Sequence, residues 1–346
     1  MGSNYIVKKI LHIGGKAYVH KSDIELSMIL DNKKFRKILN YADKKENHLE
    51  EDDGEYVDQS MAAKGITVTY RDSQYKKKVK VSINTGRIMD YHKTVPDRFL
   101  RKLDKKIGEY FDHKYSIDDF SLSGTAFITD IDVGSRESVS AYLRVLRRVG
   151  KVKGLKPVDY GCFEDIDSLC WEGISNGGSL SLNNLEDMCR KQFGEKESLT
   201  KKYRGIIKET EGLLRAEVRL MKPKSIWGYT DRVEVGEQIA GLMQNSKDIF
   251  LDIFVKIVPF GDFYKKDKAV EIICREIGDS RLQKRMLRLV TLIPEKKSLY
   301  QAQKAMNYRN MEKMMKSFAK INLSPVTISK RQDVKYLENL YSYLFR

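Results

Sequence analysis

Phe127-Ile128-Thr129-Asp130-Ile131-Asp132-Val133 and Leu213-Leu214-Arg215-Ala216-Glu217-Val218-Arg219-Leu220 each set ionisable side chains among residues that favour burial. Strand side chains alternate between faces, so both runs read as β-strands with one apolar and one polar side. In the first, Asp130 and Asp132 share a face with Ile128, while Phe127, Ile131 and Val133 turn the other way. In the second, Arg215, Glu217 and Arg219 oppose Leu214, Ala216, Val218 and Leu220. Two readings stay open. Three carboxylates on adjacent strands would repel one another unless a cation lay between them, and an all-oxygen set suits Mg²⁺, Mn²⁺ or Ca²⁺. Arg215 and Arg219 beside such a cation would favour a phosphate. Alternatively, the charges line the solvated face of an antiparallel sheet and pair arginine to carboxylate across strands.

Outward from these strands the pattern is α+β: an antiparallel-rich central sheet with flanking helices, followed by a mainly helical C-terminal region. The segment 1–60 holds a strand at 5–10, a helical stretch at 22–41 and an acidic loop at 46–55. The α+β domain spans 61–230. Ile66, Val68 and Tyr70, then Val79, Val81 and Ile83, alternate about a polar turn as a hairpin. The returning strand carries Lys76, Lys78 and Lys80 on one face, a candidate phosphate track or a solvated row. A helix is predicted at 97–111. Another follows Ser135, with Val139, Tyr142, Leu143, Leu146 and Val149 on its apolar side and Arg144, Arg147 and Arg148 away from it. Residues 158–185 read as strand and loop, and 197–210 as helix. The region 231–346 reads as helical and basic, with Met311, Met314, Met315 and Phe318 forming a core stripe. Its basic stretches at 283–304 and 313–330 suggest a helix-turn-helix or winged-helix module.

The chain has 346 residues, 41% apolar and 10% aromatic, enough for a sizeable core in two domains or in one domain with a helical extension. Lysine and arginine outnumber aspartate and glutamate by 64 to 48, a net charge of +16 spread along the sequence rather than gathered in a tail. That balance favours nucleic acid over a membrane as partner. No apolar run is long enough to cross a bilayer and the N-terminus lacks a signal-peptide core, so a cytoplasmic protein is expected. The four cysteines and five histidines have no zinc spacing and the cysteines read as reduced thiols. Trp171 and Trp227 are core or base-stacking residues, burial being the expectation for each.

The D-x-D strand and the later R-x-E-x-R strand are separated by a W-x-G-x-S-N segment, Trp171 to Asn176. This arrangement resembles the replication initiators of Gram-positive rolling-circle plasmids, the Rep_trans family, and the related relaxases of conjugative elements; phage initiators look similar too. The likeness covers roughly residues 60 to 230, more loosely the helical tail. It implies a nickase-like fold and a DNA partner, single-stranded or an origin hairpin, with a homodimer among the assemblies it allows. It also implies metal-assisted cleavage: Asp130, Asp132 and Glu217 would hold Mg²⁺ or Mn²⁺, Arg215 and Arg219 would contact phosphate, and a tyrosine would attack.

The departure lies in the nucleophile. Cys170 or Trp171 occupies the place of the family's first tyrosine, and Asn183 that of its second. Neither a thiol nor an indole replaces a phosphodiester-attacking phenol. Between the two strands only Tyr142, Tyr160 and Tyr203 remain. Tyr142 and Tyr203 fall on helix faces that read as core, leaving Tyr160 as the preferred candidate and Tyr203 behind it. The resemblance therefore implies either a nicking initiator served by another tyrosine, or an inactive relative that binds DNA as a regulator or accessory protein.

Overall fold

In a computed structural model, residues 21–46, 49–89, 96–158, 167–175, 177–193 and 201–345 are described. Ten strands form one sheet in the order β2-β3-β4-β5-β1-β6-β10-β9-β8-β7, every neighbouring pair antiparallel. They are β1 Lys21–Leu30, β2 Glu50–Asp52, β3 Glu55–Asp58, β4 Ile66–Asp72, β5 Lys77–Asn84, β6 Ser121–Asp132, β7 Leu155–Val158, β8 Ser168–Gly173, β9 Gly178–Asn184 and β10 Leu213–Leu220. The α+β class expected from sequence is the observed one.

The strand order divides into two like halves. β1 is followed by a helix, Asn32–Glu46, then by a meander whose last strand, β5, returns beside β1. β6 is likewise followed by a helix, Arg136–Leu146, and by strands that end with β10 beside β6. The halves join where β1 and β6 pair antiparallel, a local twofold relation between equivalent strands.

One face of the sheet is apolar across its width. Ile24, Leu26 and Met28 of β1, Val79, Val81 and Ile83 of β5, Phe127 and Ile131 of β6, Leu214, Ala216 and Val218 of β10, and Leu180 and Leu182 of β9 are all buried in one continuous core. Helices cover it. Arg136–Leu146 and Ser246–Ile257 lie against β9 and β10, and Val235–Gln244 against β6. These last two helices fall within the region read as the C-terminal domain, yet they complete the sheet's own core.

Three local readings change. The stretch 22–41 is not one helix: Ile24, Leu26 and Met28 alternate with Asp23, Glu25 and Ser27, making a central strand before the helix Asn32–Glu46 begins. The acidic run is not a loop but a hairpin of β2 and β3, turned by Asp53 and Gly54 at positive φ. Asp58 at its end is buried and accepts hydrogen bonds from the Ser60 amide and the Tyr110 hydroxyl, which in turn meets Tyr70. The helical region 231–346 is interrupted at Phe263–Tyr264 (β11), which pairs with Tyr336–Leu337 (β12). The strand expected at 5–10 lies outside the described residues.

Gly212 sets the mutual position of β6 and β10. Its carbonyl accepts from the Val133 amide at 3.0 Å, its φ is +75°, and a Cβ there would meet the Gly134 backbone at 2.7 Å. Backbone of this kind cannot move aside cheaply, and L-residues resist the left-handed region. Gly212→Ala is expected to lower stability by about 2 kcal/mol or more in urea unfolding, above the usual effect of a glycine-to-alanine exchange.

Candidate functional site

The predicted site lies on the polar face of β1, β5, β6 and β10. Register sets Asp130 opposite Arg215, Asp132 opposite Leu213 and Glu217 opposite Ile128. Asp130 and Arg215 form a bidentate pair, Nε to Oδ1 at 2.6 Å and an Nη to Oδ2 at 2.8 Å, each side chain only 16% exposed. Glu217, buried, accepts from Arg219 Nε at 2.6 Å. Asp132 is exposed at the strand end, where Oδ1 accepts from the Gly134 amide. Burial works against the Arg215 charge, but the hydrogen bonds and charge of Asp130, with Glu217 nearby, more than offset it and hold the guanidinium above its usual range. The same balance, with Glu217 as partner, applies to Arg219.

A divalent cation does not fit this arrangement. Both Asp130 oxygens are taken by a fork-shaped donor that matches carboxylate geometry, and Glu217 is held by a second guanidinium. Among the described residues no group of three His, Cys, Asp or Glu side chains gathers closely enough to hold a metal ion. Of the two open readings, pairing of arginine with carboxylate is the arrangement seen, across strands for Asp130 with Arg215 and along β10 for Glu217 with Arg219, and partly buried rather than solvated. Its cover is the helix Leu185–Phe193, which packs on β9 and β10 and brings Cys189 close enough to act on the Arg215 charge.

The neighbouring half repeats the device. Lys80 reaches Glu25 at 2.8 Å across β5 and β1, so it is not an unengaged phosphate contact. Lys78 is half-buried on β5, opposite Ile29. Sequence reasoning misses Glu25, because its strand merges with the pattern of the helix that follows. The arginines after β6 also diverge: Arg144 is exposed, Arg147 stands 3.9 Å from Asp167, and Arg148 donates to the Thr327 carbonyl at 3.1 Å, tying the sheet layer to the C-terminal region.

The motif positions that lack the expected tyrosine belong to the sheet and its core. Trp171 is buried and donates from Nε1 to the Gly150 carbonyl at 2.9 Å. Asn183 is buried, donating to Ser181 Oγ, and Cys170 is half-buried on β8. Tyr142 is core, its hydroxyl donating to the Glu338 carbonyl at 2.6 Å, and burial raises its pKa far above the phenolic range. Tyr160 and the Tyr203 side chain lie outside the described residues. Trp227 overturns the expectation of burial: it is 67% exposed at the end of the short helix Pro223–Trp227.

No family model and no curated protein matches the chain. The resemblance to rolling-circle initiators therefore rests on the short motifs alone.

Removing Arg215 would take away the charge that offsets the burial of Asp130. Arg215→Ala is expected to cost about 3 kcal/mol, and Asp130→Ala combined with it less than the sum of the two, with a coupling of about 1–3 kcal/mol in a double-mutant cycle read by urea unfolding. Millimolar Mg²⁺ or Mn²⁺ is expected to leave the melting temperature unchanged, since a cation bound only to the native state would raise it.

Proposed function

We propose that this chain is a cytoplasmic DNA-binding protein of the replication-initiator kind, acting as a sequence-specific binder of duplex DNA without metal-assisted nicking at β6 and β10. The observation that carries the reading is the two-sidedness of the helix Ser280–Lys296. Met286, Leu289, Val290 and Ile293 bury one side. Arg281, Lys284, Arg285 and Arg288 are exposed and recur at i, i+3, i+4 and i+7, a single helix face.

This helix follows Lys266–Glu276 after only Ile277, Gly278 and Asp279. Asp279 caps it, accepting from the amides of Arg281 at 2.9 Å and Leu282 at 3.2 Å. A capped second helix after a short turn is the arrangement by which helix-turn-helix proteins set N-terminal side chains against base edges in the major groove. Arg285 is held in place by Tyr308, its guanidinium 4.4 Å from the ring centre and an Nη donating to the hydroxyl at 2.9 Å. Arginine reads guanine by paired hydrogen bonds, while lysine neutralises phosphate. The net charge of +16 supports sequence-independent attraction to the same partner.

The nicking alternative needs Asp130 and Glu217 to exchange their guanidinium partners for a cation. The binding reading asks for no such rearrangement.

Selection from a random duplex library followed by salt titration tests it. Affinity is expected to fall steeply with salt. Arg281→Ala/Lys284→Ala/Arg288→Ala is expected to weaken binding and to flatten the salt slope by about 0.9 for each phosphate no longer neutralised. Salt-insensitive binding, or none, would overturn the reading. A covalent protein–DNA adduct on a denaturing gel, formed with Mn²⁺ and the single strands of the selected site, would restore nicking.

A further inference from the structure

The exposed Trp227 ends the short helix Pro223–Trp227, which packs on β10 and β6 and follows β10 at the end of the second half-sheet where four adjacent strands terminate. Pairing aligns Leu155 of β7 with Gly173 of β8, Glu172 with Ser179 of β9, and Gly178 of β9 with Leu220 of β10. The residues just beyond those positions therefore share an edge about 15 Å wide, four strands at the usual spacing. The turns there are bonded to one another: Ile174 donates its amide to the Gly154 carbonyl at 3.0 Å, and Met221 donates to the Gly177 carbonyl at 3.0 Å. Gly177 in turn lies against the Lys222 side chain, a Cβ there meeting its Cγ at 2.6 Å.

Three large apolar side chains are exposed on this edge, Ile174 at 54%, Met221 at 42% and Trp227 at 67%. Lys151, Lys153, Lys222 and Lys224 are exposed around them, and none has an ion-pair partner among the described residues. The contrast with the sheet face is sharp, since Lys80, Arg215 and Arg219 there each have a carboxylate. An indole in water costs free energy that a partner recovers, and a solvent-facing tryptophan beside unneutralised lysines fits a ligand that is aromatic and anionic together.

We propose that this edge is a binding site for single-stranded nucleic acid, with Trp227 stacking on an unpaired base and Lys153, Lys222 and Lys224 taking the flanking phosphates. Stacking platforms interleaved with lysines bind single strands with little sequence preference, because every base offers a π face. The site rests on the DNA-binding reading but uses a surface other than the helix Ser280–Lys296. One chain could then hold duplex DNA on its helical region and an unpaired strand on its sheet edge.

The chain has two tryptophans and Trp171 is buried, so quenching of intrinsic fluorescence reports on Trp227. A thymidine homopolymer of about 15 nucleotides is expected to quench the emission in a salt-dependent way. Trp227→Ala is expected to weaken its binding about fivefold or more, the loss of one base stack, with Trp227→Phe intermediate. The unfolding midpoint and duplex binding of both variants should be unchanged. Arg281→Ala/Lys284→Ala/Arg288→Ala should lose duplex affinity yet keep the homopolymer quench, which separates failure of this site from failure of the duplex reading. Absence of quenching, or equal homopolymer affinity in Trp227→Ala, would overturn the proposal. So would a blue shift on anionic phospholipid vesicles without any response to the homopolymer, since interfacial tryptophan flanked by lysine also suits a membrane surface.

Discussion

The antiparallel pairing of β1 with β6 is the constraint on which the rest of the molecule depends. Each half of the sheet is a five-stranded unit whose first strand lies beside its last, and only the β1–β6 ladder makes them one sheet. Along this seam Ile24 faces Thr125 and Leu26 faces Leu122, with a register shift between Glu25 and Leu26. Register fixes which side chains reach the core, because a slip of one residue would send every apolar residue to the opposite face. With the seam in place, one apolar surface runs from β4 to β8, broad enough to be covered by helices drawn from both halves and from the region beyond residue 230.

The same seam gathers the charged residues onto the other face. Each half sets an ion pair between its first and last strands, Glu25 with Lys80 in one and Asp130 with Arg215 in the other. A partly buried carboxylate needs a compensating charge, and either a metal ion or a guanidinium can supply it. Here an arginine stands directly across the ladder from Asp130, within reach of both its oxygens. Glu217 finds its partner two residues along its own strand in Arg219. The alternation that suggests a metal platform therefore also builds the arginines that make one unnecessary.

Much of this is legible in the sequence. Period-two alternation locates β4, β5, β6 and β10, and 3.6-residue spacing locates the helices after Ser135 and before Leu213, because in each case the neighbouring residues repeat the same pattern. β1 is hidden since its strand runs within two residues into a helix with its own apolar positions, Phe35 and Ala42, and the joined pattern favours the longer element. The β2–β3 hairpin is hidden because acidic residues are poor strand formers, and only the burial of Asp58 under Tyr110 shows what holds it. Trp171 and Trp227 cannot be told apart by residue type. A strand position with Leu180 across the ladder buries the first, while a five-residue helix beyond the sheet leaves the second in water. The side-chain pairing of Asp130 is present in the sequence as one of two alternatives, and register alone decides between them.

Charge pairing on the sheet has a consequence for the molecule as a whole. Lys80, Arg215 and Arg219 are each matched by a carboxylate, so this face adds little to the excess of 16 positive charges. Among the described residues, exposed cations without a carboxylate partner gather in two places that stand out: the outer side of Ser280–Lys296 and the lysine-rimmed end of β7 to β10. They differ in shape and chemistry. The first is a capped helix with arginines on one face and no exposed aromatic of its own, suited to a groove with a regular phosphate spacing. The second is a short edge with an indole at its β10 side, suited to bases that are already unstacked. On the proposed reading, a sheet that neutralises itself while its periphery does not would keep a polyanion away from the centre and hold it at separate points around the rim.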